Sequence, residues 1–146
     1  MPKGGVADID ALIAMVRLAR ERDFVLAADE CYCEIYDGDP PPGILQACAA
    51  LGGDMANVMA FHSLSKRSNV PGLRSGFVAG EPGLITKFAR LRNYTGGVTP
   101  LPIQALAAAL WRDEAHVADN RAQYPAKFDL AQQYPAGRPA FPRPPR

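Results

Sequence analysis

The sequence predicts an α/β fold, because short apolar runs typical of buried strands alternate with longer segments of helical periodicity. The apolar runs are FVLAA (24–28), NVMAF (57–61) and GFVAG (76–80). The first run is apolar on both faces and ends abruptly at two acidic residues, which favours a strand buried inside a parallel sheet. Helical spacing precedes the first run and follows the third, so the two kinds of element alternate along the chain.

Residues 8–22 are predicted to form the first helix. Their apolar side chains recur at helical spacing, at Ile9, Leu12, Ile13, Val16 and Ala19. Asp8 is a suitable N-cap, and Arg20 and Arg22 favour the negative end of the helix dipole. The opposite face is polar, so this helix should lie on a sheet with one side in water.

Further along the chain, proline and glycine mark where elements begin and end. A helix with one apolar face is predicted from Pro82 to Tyr94. Residues 103–120 also have a helical pattern, with an interruption near Arg112. Pro125 should end or kink the helical stretch that follows. The predicted loops are DGDPPPG (37–43) and GGVTPLP (96–102).

Length and composition predict one soluble domain of 146 residues. With 16 basic and 15 acidic residues the net charge is +1, which gives no reason to expect nucleic acid or an anionic membrane as a partner. No apolar run approaches the roughly 20 residues that span a bilayer, and the first ten residues lack the apolar stretch of a signal peptide, so the expected location is the cytoplasm. Three cysteines without CxxC spacing and two isolated histidines predict reduced, mostly buried thiols and no metal site.

Three polar clusters lie at the ends of the predicted strands. They are Asp29–Tyr32 after the first strand, Ser63–Lys66 after the second, and Gly72–Arg74 before the third. In open α/β sheets, ligands bind beyond the carboxyl ends of the strands. The clusters are therefore the candidate site, and together they offer a carboxylate, a phenol, hydroxyls, an amine and a guanidinium.

Pyridoxal phosphate is a ligand that needs this set of groups. Arg74 and Ser63 suit its phosphate, and Lys66 could form a Schiff base with its aldehyde. Asp29 could pair with the protonated ring nitrogen, and Tyr32 could donate to the phenolate oxygen. Taken singly, each residue also has a structural explanation as a strand-end cap, a core side chain, a solvated turn or a surface ion pair. The functional interpretation depends on their conjunction and order.

Three stretches resemble the class I/II aminotransferases, which are pyridoxal-phosphate-dependent enzymes of fold type I. DECYCEIY (29–36) resembles the family's Asp-x-x-Tyr motif, and SLSKRSNVPGLRSGFVAG (63–80) resembles its lysine motif, with an arginine eight residues after the lysine. YTGGVTPLPIQALAAAL (94–110) is similar to the loop and helix that follow. The likeness runs from about Val25 to His116.

The resemblance implies a role for each candidate residue. Lys66 would form the internal aldimine and move a proton between the substrate α-carbon and the cofactor C4′. Asp29 would keep the pyridine nitrogen protonated, Tyr32 would contact the cofactor O3′, and Ser63 and Arg74 would bind the phosphate. The implied reaction is transamination between an amino acid and a 2-oxo acid in a homodimer. The sequences of the motifs most resemble those of aminotransferases for N-succinyldiaminopimelate or aspartate-like substrates.

The resemblance also implies that only part of the family's fold is present. We expect residues 1–132 to form part of a three-layer large domain, a fragment of a mainly parallel sheet flanked by helices, and residues 133–146 to be a disordered Pro/Arg-rich tail. Met1–Gly4 would align with the family's Asn-Pro-x-Gly motif, with Met1 where the asparagine should be. A truncated reading frame would explain both termini, and such a chain would be marginally folded and nearly inactive.

Two alternatives stay open at this point. The same residues serve other fold-type I enzymes, such as a β-lyase or an acyl transferase. A non-catalytic remnant, or a cofactor-binding fold used for regulation, is the third possibility. No helix-turn-helix precedes the segment, and no basic patch outside the tail favours DNA contact.

Overall fold

The computed structural model describes residues 5–133. In chain order the elements are α1 (Ile9–Arg22), β1 (Leu26–Asp29), α2 (Ile44–Ala50), β2 (Val58–Ser63), α3 (Leu64–Arg67), a 3-10 turn (Pro71–Leu73), β3 (Gly76–Gly80), α4 (Pro82–Tyr94), α5 (Leu101–Arg112), α6 (Ala115–Ala122) and α7 (Tyr124–Gln133). The predicted α/β fold class is confirmed. The segment Met1–Gly4 and the predicted tail, apart from Gln133, lie outside the described residues.

The three strands form one sheet in the order β1-β2-β3, with a parallel pair followed by an antiparallel pair. The connection between β1 and β2 contains α2, as a parallel crossover requires. The connection between β2 and β3 contains only a four-residue helix and a 3-10 turn. Because that connection is too short to cross the sheet, β3 returns alongside β2 in the opposite direction. The amino end of β3 therefore lies beside the carboxyl end of β2.

Helices α1 and α2 cover one face of the sheet. The buried side chains between them and the strands are Val16, Ile44, Ala47, Cys48, Val58 and Ala60. As predicted, Asp8 caps α1, with its carboxylate accepting a hydrogen bond from the Ala11 N–H at 2.8 Å. Asp23 ends the helix in the left-handed conformation, at φ 50°. The first predicted helix is thus confirmed in its position and in its buried face.

The prediction that the first strand is buried on both faces is wrong. Burial alternates along β1, with Leu26 and Ala28 half-buried against the core and Ala27 and Asp29 exposed. β1 is at the edge of the sheet, and the helices that pack on it, α1 and α2, cover one face. The opposite face of β1, which carries Asp29, is left open.

Helix α2 was not predicted, although its pattern is visible in the sequence. Apolar residues at Ile44, Ala47, Cys48 and Leu51 have i, i+3, i+4, i+7 spacing. At its start, the Gln46 side chain accepts a hydrogen bond from the Gly43 N–H at 2.7 Å, and Glu30 accepts one from the Ile44 N–H at 2.6 Å. The preceding prolines and the short length of the helix hid this pattern.

The helices after β3 follow the prediction closely. α4 begins at Pro82, and the interruption expected near Arg112 separates α5 from α6. Pro125 lies in the first turn of α7, after α6 has ended at Ala122, so the helical stretch breaks where the proline requires it. Within residues 5–133 no helix is both long and apolar enough to cross a bilayer.

Candidate active site

The three predicted polar clusters lie at one end of the sheet, where β1 and β2 end and β3 begins. Asp29 is the last residue of β1 and pairs with Phe61 of β2. Ser63 is the last residue of β2 and pairs with Gly76, the first residue of β3. Arg74 precedes β3, and the antiparallel direction of that strand brings it to the edge where β1 and β2 end. Since side chains alternate along a strand, Asp29 and Ser63 point away from the face covered by α1 and α2.

The carboxylate of Asp29 is held by the turn that follows it. Its Oδ1 accepts a hydrogen bond from the Cys31 N–H at 3.1 Å. Hydrogen bonding from the Cys31 thiol, together with that backbone bond, lowers the pKa of Asp29 below its usual range. The side chain is therefore a charged carboxylate at neutral pH, exposed on the open face of β1.

Ser63 begins the one-turn helix α3 that carries Lys66. The Ser63 hydroxyl accepts a hydrogen bond from the Ser65 N–H at 3.1 Å and donates one to the Ser65 hydroxyl at 2.9 Å. Lys66 is half-buried, and its amine is 5.5 Å from the centroid of the Tyr32 ring, within the range of a cation–π contact. The structure thus brings together the lysine and the tyrosine that the sequence singled out.

Arg74 adopts a left-handed backbone conformation, at φ 50°, where it caps the 3-10 turn. Its guanidinium donates a hydrogen bond to the Pro71 carbonyl at 3.0 Å. The next strand begins at Gly76, where a Cβ atom would lie 2.3 Å from the His62 carbonyl oxygen. Only glycine therefore lets β3 approach β2 closely enough to bring Arg74 next to Ser63.

Two hollows at this edge contain the candidate residues. The larger, of about 540 Å³, is lined by Ser63, Ser65 and Arg74 among others. The smaller, of about 260 Å³, is lined by Asp29 and Tyr32 together with residues of α1, α2 and the loop before α2. Lys66 connects the two sets, because its neighbour Ser65 lines the larger hollow while its own amine lies beside Tyr32. Four of the five residues are thus divided between two hollows at the carboxyl ends of β1 and β2, and Lys66 lines neither hollow.

A buried arginine next to Lys66 was missed by the sequence interpretation. Arg67 is 6% exposed, and its guanidinium contacts Glu34 at 2.8 Å and Glu114 at 2.5 Å. Arg121 contacts the second oxygen of Glu34 at 2.6 Å. These contacts join α3 to α6 and to the segment after β1. The partners are separated by 33 to 87 residues, so no local pattern could have indicated them.

The three cysteines are free, but only Cys48 is buried while Cys31 and Cys33 are half-buried, so the prediction of mostly buried thiols is wrong. Cys33 Sγ is 3.8 Å from Nδ1 of His62, whose Nε2 is 3.1 Å from Glu30. Burial, and then the nearby carboxylates of Glu34 and Glu30, raise the pKa of Cys33 to about 11. The Cys33 thiol is therefore protonated at neutral pH, in contrast to a catalytic thiolate.

Comparison with known proteins adds independent information on this arrangement. The protein-family model described as aminotransferase class I and II matches residues 1–133. Among curated proteins, 4-dedimethylamino-4-oxo-anhydrotetracycline transaminase OxyQ of Streptomyces rimosus is 42% identical over 123 residues, which are 84% of this chain and 34% of OxyQ. The chain therefore spans about a third of the length of this curated relative.

Solved structures give the same result. A crystal structure of an aminotransferase from Neisseria meningitidis Z2491 superposes with a TM-score of 0.83 at 48% identity, over 89% of this chain and 33% of that protein. Aminotransferase AspB from Helicobacter pylori 26695 superposes with a TM-score of 0.86 at 41% identity, over 97% of this chain and 38% of that protein. The three-stranded sheet and its helices thus match a part of both structures.

Proposed function

This chain belongs to the class I and II aminotransferases, and we propose that it supplies the cofactor-holding part of a site that transfers an amino group from an amino acid to a 2-oxo acid. The observation that carries the proposal is the position of Lys66. Its amine lies beside Tyr32, with Ser63 and Arg74 at one end of the same sheet edge and the charged carboxylate of Asp29 at the other. We propose that pyridoxal 5′-phosphate is the cofactor.

The residues around the larger hollow fit the phosphate of this cofactor. The Arg74 guanidinium offers several N–H donors as well as a positive charge, and the Ser63 hydroxyl, which donates to Ser65 in this structure, can turn to donate to the phosphate. The hollow, about 540 Å³, has room for a phosphate and part of a ring. Arg74 uses one nitrogen on the Pro71 carbonyl, which fixes the side chain and leaves its other donors for a ligand.

The residues on the other side fit the ring. A carboxylate that stays charged at neutral pH, as Asp29 does, favours a protonated ring nitrogen, and the Tyr32 hydroxyl can donate to the ring oxygen. The cofactor supplies an aldehyde that joins an amine and a ring that accepts the electron pair released at the substrate α-carbon. In this arrangement Lys66 holds the cofactor and then moves the proton to and from that carbon.

Transamination is favoured over the lyase and acyl-transferase alternatives by the relatives, whose names identify them as aminotransferases. The similarity of the motifs to N-succinyldiaminopimelate and aspartate aminotransferases suggests an acidic or succinylated amino acid as the substrate. That assignment is also a proposal, because the chain spans about a third of the length of the relatives it matches.

Covalent trapping tests the proposal directly. The full chain, incubated with pyridoxal phosphate and reduced with borohydride, is expected to carry the label on Lys66 in preference to Lys3, Lys87 and Lys127, as read by peptide mass mapping. A Lys66→Arg variant keeps the charge and should remove this label while leaving the weaker labelling of the other lysines unchanged. Equal labelling of all four lysines, or no label on Lys66, would contradict the proposal and favour a non-catalytic remnant.

A further inference from the structure

The turn that carries Lys66 is too short to hold its own shape. Helix α3 has four residues, and helices of one turn are unstable in isolation. The Ser63 hydroxyl caps its amino end, and the Ser68 N–H donates to the Leu64 carbonyl at 3.0 Å at its carboxyl end. The carbonyls of Lys66 and Arg67 come at the carboxyl end of the helix, where no helical N–H follows to bond them.

A side chain from α6 donates hydrogen bonds to these two carbonyls. The amide nitrogen of Asn120 donates to the Lys66 carbonyl at 3.0 Å and to the Arg67 carbonyl at 3.3 Å. Asn120 is half-buried and lies 54 residues after Lys66 in the chain. A single amide thus fixes the two peptide units that follow Lys66, and the first of them is bonded to the Lys66 Cα, from which the side chain leaves the backbone.

Helix α6 has other attachments that do not involve Lys66. Val117 is 1% exposed, the Glu114 carboxylate contacts Arg67 at 2.5 Å, and His116 Nε2 is 2.8 Å from the Ser68 hydroxyl. These contacts should keep α6 docked if the amide of Asn120 is removed. Loss of the amide would then free the peptide units that follow Lys66 and Arg67 without separating α3 from α6.

We propose that Asn120 is a positioning residue for Lys66, and this rests on the proposed function of that lysine. The amine is at the end of a four-carbon chain, so a small rotation of the Lys66 peptide moves it by several times the displacement of the backbone. Asn120 limits that rotation and keeps the amine at the sheet edge beside Tyr32. It contributes through Lys66, since among residues 5–133 it lines neither the larger nor the smaller hollow.

Two aldehydes of different size test this role in the full chain. Pyridoxal phosphate with borohydride reports whether Lys66 is aligned with the residues around it, whereas formaldehyde with cyanoborohydride reports only whether the amine is accessible. In Asn120→Ala, trapping of Lys66 by pyridoxal phosphate should fall about three- to tenfold, the effect of losing the hydrogen bond to the Lys66 carbonyl. Its methylation rate should rise toward that of exposed Lys87, and Lys87 and Lys127 should be unchanged.

Matched variants separate the hydrogen bond from the volume of the side chain. Asn120→Asp has the same shape without the donor and should behave like Asn120→Ala, whereas Asn120→Gln keeps the donor and should restore most of the trapping. Asp119→Ala removes an exposed neighbour on the same helix and should match the unchanged chain. Far-UV circular dichroism checks the fold of each variant.

Each other outcome would overturn the inference. Unchanged Lys66 rates in Asn120→Ala, or equal changes at Lys87 and Lys127, would show that the amide does not act on the lysine specifically. Unfolding of both Asn120→Ala and Asn120→Asp would make Asn120 a folding residue. If Lys66 of the unchanged chain is not trapped by pyridoxal phosphate, the proposed function fails, while the formaldehyde rates still decide whether Asn120 positions the amine.

Discussion

Lys66 combines a fixed backbone with a side chain that reaches an open edge. Its neighbour Arg67 is buried between two glutamates, and its carbonyl is bonded by Asn120. The amine instead lies beside the ring of Tyr32, which lines the smaller hollow, while the neighbouring Ser65 lines the larger one. Burying the Arg67 charge is tolerable only because carboxylates accompany it, since an unpaired buried charge would cost several kcal/mol.

The Cys33 thiol gives a pH-dependent prediction at this scale. Burial and two glutamates raise its pKa to about 11, so its thiolate fraction at pH 8 should be lower than that of glutathione, and its alkylation by iodoacetamide slower, by on the order of a hundredfold. The rate should rise about tenfold per pH unit and level off only near pH 11. Comparison with a Cys33→Ser variant assigns the reaction. A plateau at pH 8–9 would show that the carboxylates and burial do not control this thiol.

The sequence indicated the residues with chemical groups but not those that hold them. Asp29, Tyr32 and Lys66 follow apolar runs directly, so their place at strand ends could be read locally. Arg67 and Asn120 could not be found in this way, because their importance comes from a contact across 53 residues. The sequence also did not predict that the candidate residues line two separate hollows, because that depends on how the strands and helices pack around each side chain.

The antiparallel strand β3 decides how the elements form the site. If β3 ran parallel to β2, its amino end and Arg74 would lie at the opposite edge of the sheet from Ser63. The short connection prevents that arrangement, because it contains only α3 and a 3-10 turn. Ser63, the last residue of β2, pairs with Gly76, and Arg74 precedes Gly76 by two residues. This pairing places the arginine close to the end of β2.

Gly76 and Gly72 provide a matched pair of substitutions for this pairing. Gly76→Ala would put its Cβ 2.3 Å from the His62 carbonyl oxygen, so β3 would have to move, at a cost of about 2 kcal/mol or more in unfolding free energy. Gly72→Ala meets nothing within 4 Å and should change stability by less than about 0.5 kcal/mol. Urea unfolding measures both. Equal midpoints for the two variants would contradict the close β2–β3 approach.

Elements were predictable where local rules decide them. The three strands, helix α1 with its Asp8 cap, and the start of α4 at Pro82 followed from periodicity, capping and proline geometry. Helix α2 was hidden by the prolines before it, and the exposed face of β1 was not predicted because burial depends on which elements cover a strand. An apolar run such as FVLAA does not indicate whether one face of the strand is left uncovered.

At the scale of the whole molecule, the open edge at β1 is the main feature. The apolar side chains Phe24 and Val25 are 42% and 50% exposed next to this strand, and the strand has hydrogen-bonding groups on its outer side. Exposed apolar surface beside an open strand favours association with further protein. The chain matches about a third of the length of each of these relatives, which agrees with such a surface. The expectation that the isolated chain is only marginally stable therefore stays a prediction.

A crystal structure of the chain with pyridoxal phosphate would show whether one cofactor joins the two hollows through Lys66. We expect density for the phosphate at Ser63 and Arg74, the ring nitrogen at the Asp29 carboxylate, and a covalent link to the Lys66 amine. Density for the phosphate at another surface, or a ring bound without contact to Asp29 and Lys66, would rule out this cofactor site.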